Sequence, residues 1–356
     1  MDIKLVFFVL MLAAALLEAK IHLWGDIAFS RKAIINYLFP KDPGIIRVRK
    51  PDEVKTEVNN VTTLDFIGLV EKYGYSAEEH YVTTEDGYNL VIHRISGSPL
   101  FNSRQRRKVV FLQHGILCTS DCWVLIGAGK DLAFLLADKG YDVWLGNIRG
   151  NAYCRSHVKL TPRNSKFWQF SYHEVATRDL PAMIDYVLSY TNQKTLIYIG
   201  HSMGTTLFFA LLSMKPEYNA KIKLGMLLAP VAIWKKVSVF LEHFRTKMPK
   251  IKEFLDSNEI YELGALSARS ITVGRTLCSD KAVTQPVCIA IFFILSGSGP
   301  AQMNTNVLET STRLPNIILL EEIPYKLFTH FDFLWATDAK TLLYDRVIEV
   351  LQKFDT

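Results

Sequence analysis

The pentapeptide Gly200-His201-Ser202-Met203-Gly204 constrains this chain more than any other feature. It follows a β-rich run, Thr195 to Ile199, and precedes an apolar helical run, Met203 to Met214, with Pro216 just beyond. A serine at a strand-to-helix turn, flanked by glycines, is the pattern of a nucleophile elbow. The turn is cramped, and glycines on either side let two backbones approach with no Cβ between them. It holds the hydroxyl clear of the sheet. The helix start behind it offers N–H groups and a positive dipole end to a developing oxyanion. G-x-S-x-G also recurs by chance as a structural turn; the flanking strand and helix favour a functional serine.

The surrounding pattern predicts an α/β fold. Lys108 to Leu112 reads as a buried strand, Leu132 to Ala137 as a helix ending near Gly140, and Asp142 to Leu145 as the next strand. Residues 172–190 carry a helical stripe of Val175, Leu180, Met183, Ile184, Val187 and Leu188, with Pro181 as a possible kink. Leu224 to Ala229 is a further strand. Such alternation implies a mostly parallel sheet with helices on both faces. Tyr81 to Thr84 and Leu90 to His93 flank Glu85-Asp86-Gly87, a hairpin signal. From Val231 to Asn304 the alternation stops, and Trp234, Phe240, Phe244 and Phe254 mark a helical cap whose apolar residues fit either a lid or ordinary core. Ile317 to Ile323 then reads as a strand and residues 338–354 as a last helix. The predicted division is a signal segment at 1–19, an arm at 20–63, core at 64–230, a shortened cap at 231–305, and the C-terminal part of the core at 306–356.

Lys and Arg number 41 against 35 Asp and Glu, a net charge of +6. The densest basic run, Arg104 to Lys108, reads as a solvated turn with no interleaved aromatics, so nucleic acid is not the expected partner. Met1 to Lys20 carries Lys4, an uncharged run from Leu5 to Leu17, and small residues near Ala19. That is too short to cross a bilayer comfortably and fits a secretory leader; a buried or anchoring helix is the alternative. The chain is therefore expected to be secreted, with a lysosomal destination as an option. Export permits disulfides. Cys278 and Cys288 enclose a short loop and are the first candidates; Cys118 and Cys122 also bracket a small loop, and Cys154 is left over. Asn60-Val61-Thr62 is an N-glycosylation sequon.

A serine nucleophile needs a base and oxyanion donors. His114-Gly115-Ile116 follows the strand ending at Leu112-Gln113, where lipase-type hydrolases place a second oxyanion donor; a plain post-strand turn is the alternative. In hydrolases of this layout the order is Ser, acid, His, with the histidine late. His330 is the only histidine after His243. His201, on the elbow, is expected to point away from the serine, and His80, His93, His157, His173 and His243 to be surface or packing residues. No metal cluster or dinucleotide fingerprint is present in the sequence, and Gly127-Ala128-Gly129-Lys130 is followed by Asp131, so it fails as a phosphate loop. No metal or cofactor is expected.

Thr84-Glu85-Asp86-Gly87-Tyr88, Leu112-Gln113-His114-Gly115, the run GYDVWLGNIRGN at 140–151, GHSMGTT at 200–206, Leu228-Ala229-Pro230 and HFDFLWATDA at 330–339 together resemble the acid lipase family. That family includes gastric and lysosomal acid lipases and many insect digestive relatives. The likeness covers nearly everything from Leu64 onward. It implies an α/β-hydrolase core with a helical cap, acting on triacylglycerol or cholesteryl esters at a lipid–water interface. By position it implies Ser202 as nucleophile, His330 as base, and the Ile116 and Met203 amides as oxyanion donors. The family's cap disulfide matches Cys278–Cys288 approximately.

One departure stands out. In that family a strand after the cap ends in Gly-x-x-Asp, which supplies the triad acid. Here Gly299 to Asn304 resembles a cap segment and Leu314-Pro315-Asn316 the lead-in to the final strand, with only a few residues between. No acid lies between Asp280 and Glu309, and Asp332 follows His330 too closely to orient its ring. The triad acid is unassigned, and one core strand is missing. The final strand is then expected to move one place inward, about 4.8 Å, carrying the His330 loop with it and threatening its reach to Ser202. The competing readings are an impaired lipase and a non-catalytic lipid-binding relative; a serine peptidase on the same fold is weaker.

Overall fold

A computed structural model describes residue 35 and residues 45–55, 61–101, 107–233, 235, 239–261, 283–285 and 300–355. The leader segment, Asn60, Cys278 and Cys288 lie outside the described residues. The chain divides into two compact units. One comprises Met1–Thr63 and Ser238–Ser298. In it β1 (Ile45–Val48) pairs with β2 (Val61–Leu64), where the sequence suggests only an extended arm.

The other unit, Leu64–Val237 with Gly299–Thr356, holds the large sheet. Its strands are β3 (Ser76–Thr83), β4 (Tyr88–Gly97), β5 (Val109–Gln113), β6 (Asp142–Gly146), β7 (Ser156–His157), β8 (Leu196–His201) and β9 (Ile222–Leu228). The order is β3-β4-β6-β5-β8-β9, with β7 pairing on β4. β6, β5, β8 and β9 run parallel, while the β3–β4 hairpin and its β4–β6 junction are antiparallel. Helices α1 (Leu132–Asp138), α2 (Leu180–Thr191) and α3 (Met203–Met214) supply crossovers between the parallel strands.

The parallel strands are apolar on both faces because both are covered. Val110 and Leu112 of β5, Val143 and Leu145 of β6, and Ile197 and Ile199 of β8 point to the side of α1 and of the last helix, α4 (Asp345–Asp355). The intervening residues, Val109, Phe111, Trp144 and Tyr198, point to the side of α2 and α3. The period of two therefore sorts side chains into two cores, as a doubly covered sheet demands. Pro181 lies directly behind a π-turn at Val175–Asp179, in a helical run that starts at Tyr172 and continues as α2; such a bulge is where a helix accommodates a missing N–H.

The strand expected at Ile317 to Ile323 is not formed. Those residues have no regular structure, and Ile318 is 61% exposed. Among the described residues β9 pairs only with β8, which makes it the edge of the sheet there. An isolated strand gains no ladder bonds, whereas a solvated segment keeps its N–H and C=O groups hydrated. Nor does the fold need that strand to place the C-terminal segment. Leu334, Leu343, Tyr344, Val347, Ile348 and Leu351 are buried in the α1-side core, and the Tyr344 hydroxyl donates to the Phe333 carbonyl at 2.7 Å. The position of the His330 loop is set from its C-terminal side, and the anticipated displacement does not occur.

Candidate active site

Ser202 links β8 to α3 with φ +55° and ψ −119°, a conformation that costs a non-glycine residue of order 1–3 kcal/mol. Its N–H donates to the Leu228 carbonyl of β9 at 3.1 Å. The glycines on either side are required by contact. A Cβ on Gly204 would lie 2.4 Å from the Gln113 carbonyl oxygen, and one on Gly200 would lie 2.8 Å from the Gly204 backbone. The strand end and the helix start are thus pressed together until only hydrogen fits, which sets the serine Oγ at the crest of the turn.

His330 reaches that oxygen: its Nε2 lies 2.7 Å from Ser202 Oγ, across 128 residues of sequence. His201 does not simply point away. Its Nε2 donates to the His330 carbonyl at 3.0 Å, and the two rings lie 5.0 Å apart. The elbow therefore holds the backbone of the loop that carries the imidazole. Burial keeps both rings neutral, pushing His330 down to about 4 and His201 to about 3.

With Nε2 accepting from the serine hydroxyl, the ring proton of His330 belongs on Nδ1. That atom is buried and has no hydrogen-bond partner among the described residues. Asp332 accepts the Thr329 N–H at 2.6 Å and caps its own turn. No carboxylate among the described residues stands behind the imidazole.

The two candidate oxyanion amides are oriented through their peptide units. The Gly115 carbonyl and the Ile116 N–H share one planar trans peptide, so fixing one aims the other in the opposite direction. His114 Nδ1 donates to the Gly115 oxygen at 2.7 Å, and Asn151 Nδ2 donates to His114 Nε2 at 3.3 Å. Burial holds His114 down to about 4, in the neutral form this pattern requires. The Ser202 carbonyl and the Met203 N–H form the second unit. Here Thr205 N–H and Oγ1–H both donate to the Ser202 oxygen, at 2.9 and 2.6 Å. Gly115 lies against the serine, since a Cβ there would sit 2.9 Å from Ser202 Cβ.

Sequence reasoning gave no role to His201 and Thr205, which hold other residues' carbonyls, or to Asn151, which holds the His114 ring. The signal available for Asn151 was the 140–151 run. Within it Asn147 Oδ1 accepts from Ser120 N–H at 2.9 Å and from Asn151 Nδ2 at 2.8 Å. Arg149 anchors the loop, with its guanidinium on Asp86 (2.7 and 2.9 Å) and Asp179 (2.7 Å) and 4.0 Å above the Tyr88 ring. Cys118, Cys122 and Cys154 are buried free thiols. Among the described residues no cluster of His, Cys, Asp and Glu suits a metal ion, and no helix is long and apolar enough to cross a membrane.

Two family models match the chain: a partial alpha/beta-hydrolase lipase region at residues 66–127 and the alpha/beta hydrolase fold at residues 108–258. Lipase 1 of Drosophila melanogaster is 34% identical, with 84% of this chain and 82% of the relative covered. Lysosomal acid lipase/cholesteryl ester hydrolase of Macaca fascicularis is 34% identical over 81% of this chain and 73% of its own length. Human gastric triacylglycerol lipase is 36% identical over 69% of this chain, which spans 62% of that relative's length. The match to Lipase 1 runs over 379 residues, more than the 356 of this chain. The relative therefore has positions within the match that this chain lacks.

Proposed function

Because the chain belongs to the acid lipase family of α/β-hydrolases, we propose that it cleaves carboxylic ester bonds of neutral lipids, triacylglycerols or sterol esters, through an acyl-enzyme on Ser202. The observation that carries this reading is the 2.7 Å contact between Ser202 Oγ and His330 Nε2 on a strained elbow. His330 takes the hydroxyl proton as Oγ attacks the ester carbonyl. The Ile116 and Met203 amides receive the oxyanion, and the imidazolium returns its proton to the leaving alcohol. Water repeats the sequence to release the fatty acid.

The reaction runs with a handicap. An acid partner orients the histidine and stabilises the imidazolium, and replacing it costs roughly 10⁴-fold, about 5–6 kcal/mol of barrier. The unpartnered Nδ1 of His330 gives the second reading its footing: a lipid-binding relative that no longer turns over. Secretion or lysosomal delivery, a glycan on Asn60 and a Cys278–Cys288 bridge fit either reading. A fluorophosphonate probe with peptide mapping, alongside release of fatty acid from a tributyrin emulsion, tests the proposal. Labelling at Ser202 with slow, Ser202-dependent hydrolysis is expected. Absence of both from folded protein would leave the lipid-binding reading.

A further inference from the structure

We propose that Cys118 and Cys122 form a disulfide that closes the oxyanion loop. Cys118 lies two residues after Ile116, and between them Leu117 adopts φ +59°, a left-handed conformation that favours glycine. The chain then enters a single 3₁₀ turn, Ser120–Trp123, in which the Cys122 N–H donates to the Thr119 carbonyl at 3.1 Å and the Thr119 side chain accepts from the Asp121 N–H at 3.2 Å. This turn brings residues 118 and 122 back onto one side. Both are buried, 7% and 3% exposed, in the same apolar cluster, and their thiols lie within hydrogen-bonding reach of each other. Disulfides require such proximity, and here no long-range movement of the backbone is called for.

The hydrogen bond from Cys122 lowers the Cys118 thiol below its ordinary range, while burial raises Cys122. Both thiols are buried once the loop has closed, so Cys118 meets a small-molecule disulfide such as oxidised glutathione while the loop is still open in folding, and its thiolate attacks it. The thiolate displaces one glutathione and forms a mixed disulfide. Cys122, losing its proton, displaces the second. Two protein thiols are oxidised and one glutathione disulfide is reduced to two thiols. The resulting ring spans residues 118–122 and pins the chain two residues after Ile116, which steadies the oxyanion loop on its C-terminal side. Only this last effect rests on the ester-hydrolase reading; the bond itself does not.

The test uses full-length chain secreted from insect cells, unfolded in guanidinium with N-ethylmaleimide and digested with trypsin. Residues 109–130 contain both cysteines and no Lys or Arg before Lys130, so one peptide reports the pair. The expected peptide lacks two hydrogens, carries no maleimide, and accepts two after reduction. A peptide carrying two maleimides without reduction overturns the bond. In native protein, mild reduction is expected to slow fluorophosphonate labelling of Ser202, by less than the roughly 10²-fold cost of losing an oxyanion donor. The double variant Cys118→Ala/Cys122→Ala should label at that slower rate and ignore reductant. A rate unchanged by reduction overturns the coupling to the loop. Failure of Ser202 to label in every state would instead count against the hydrolase reading, with the peptide masses still deciding the disulfide.

Discussion

Replacing His330 with alanine distinguishes a dyad from a triad. In a complete serine triad, loss of the histidine costs roughly 2 × 10⁶ in kcat and loss of the acid alone roughly 3 × 10⁴. Here Nδ1 of His330 has no acceptor among the described residues, so on the proposed reading the acid's share is absent before any substitution is made. The remaining contribution of His330 is the ratio of the two, roughly 10²-fold, or about 2.7 kcal/mol of barrier. The second-order rate of fluorophosphonate labelling measures it, with Ser202→Ala as the blank and circular dichroism to confirm folding. The pH profile supplies a second readout. Burial holds the His330 pKa down to about 4, so the proton-accepting form prevails above that value. The rate should fall as pH drops through about 4, stay flat above about pH 6, and lose this step in His330→Ala. A loss of 10⁴ or more would mean that a carboxylate backs the ring after all. A loss below about threefold, well short of the usual 10²–10⁴ for a general base, would mean that the ring is not the base.

Three other outcomes are expected. Gly204→Ala would set a Cβ 2.4 Å from a backbone oxygen, so the urea midpoint should fall by at least about 1–3 kcal/mol of stability. Leu319→Pro lies in the unpaired segment and should change thermal stability by no more than about 0.5 kcal/mol; a loss of about 3 kcal/mol would reveal a ladder there. His201→Phe removes the donor to the His330 carbonyl and should slow Ser202 labelling roughly tenfold, the worth of about one hydrogen bond, with His201→Gln recovering part of the rate.

The elements legible in the sequence were those whose pattern is local. β5, β6, β8 and β9 announce themselves as apolar runs, α3 was bounded to the residue by Ser202 and Pro216, and the elbow glycines marked a contact too close for a Cβ. His330 was legible through chain order alone. Ile317 to Ile323 was misread because composition reports fitness for a strand, whereas pairing depends on whether the flanking segments bring it alongside an edge such as β9, and that is a property of the whole sheet. His201 and Thr205 were missed for a related reason. Each acts on a carbonyl belonging to another residue, and side-chain periodicity carries no record of where a carbonyl points. Among the described residues, Nδ1 of His330 has no hydrogen-bond partner.

The anchoring of the His330 loop by the C-terminal helix bears on how such a chain can change over evolutionary time. The imidazole travels with the C-terminal helix, and the serine with β8 and α3. The stretch beyond β9 can be shortened without parting the two, since the serine is held by β8, α3 and β9 and the histidine by the C-terminal helix. A lineage that sheds a block there keeps a reactive alcohol beside its imidazole. Selection could recruit that remnant for slow, single-use acylation or for holding an ester it scarcely cuts.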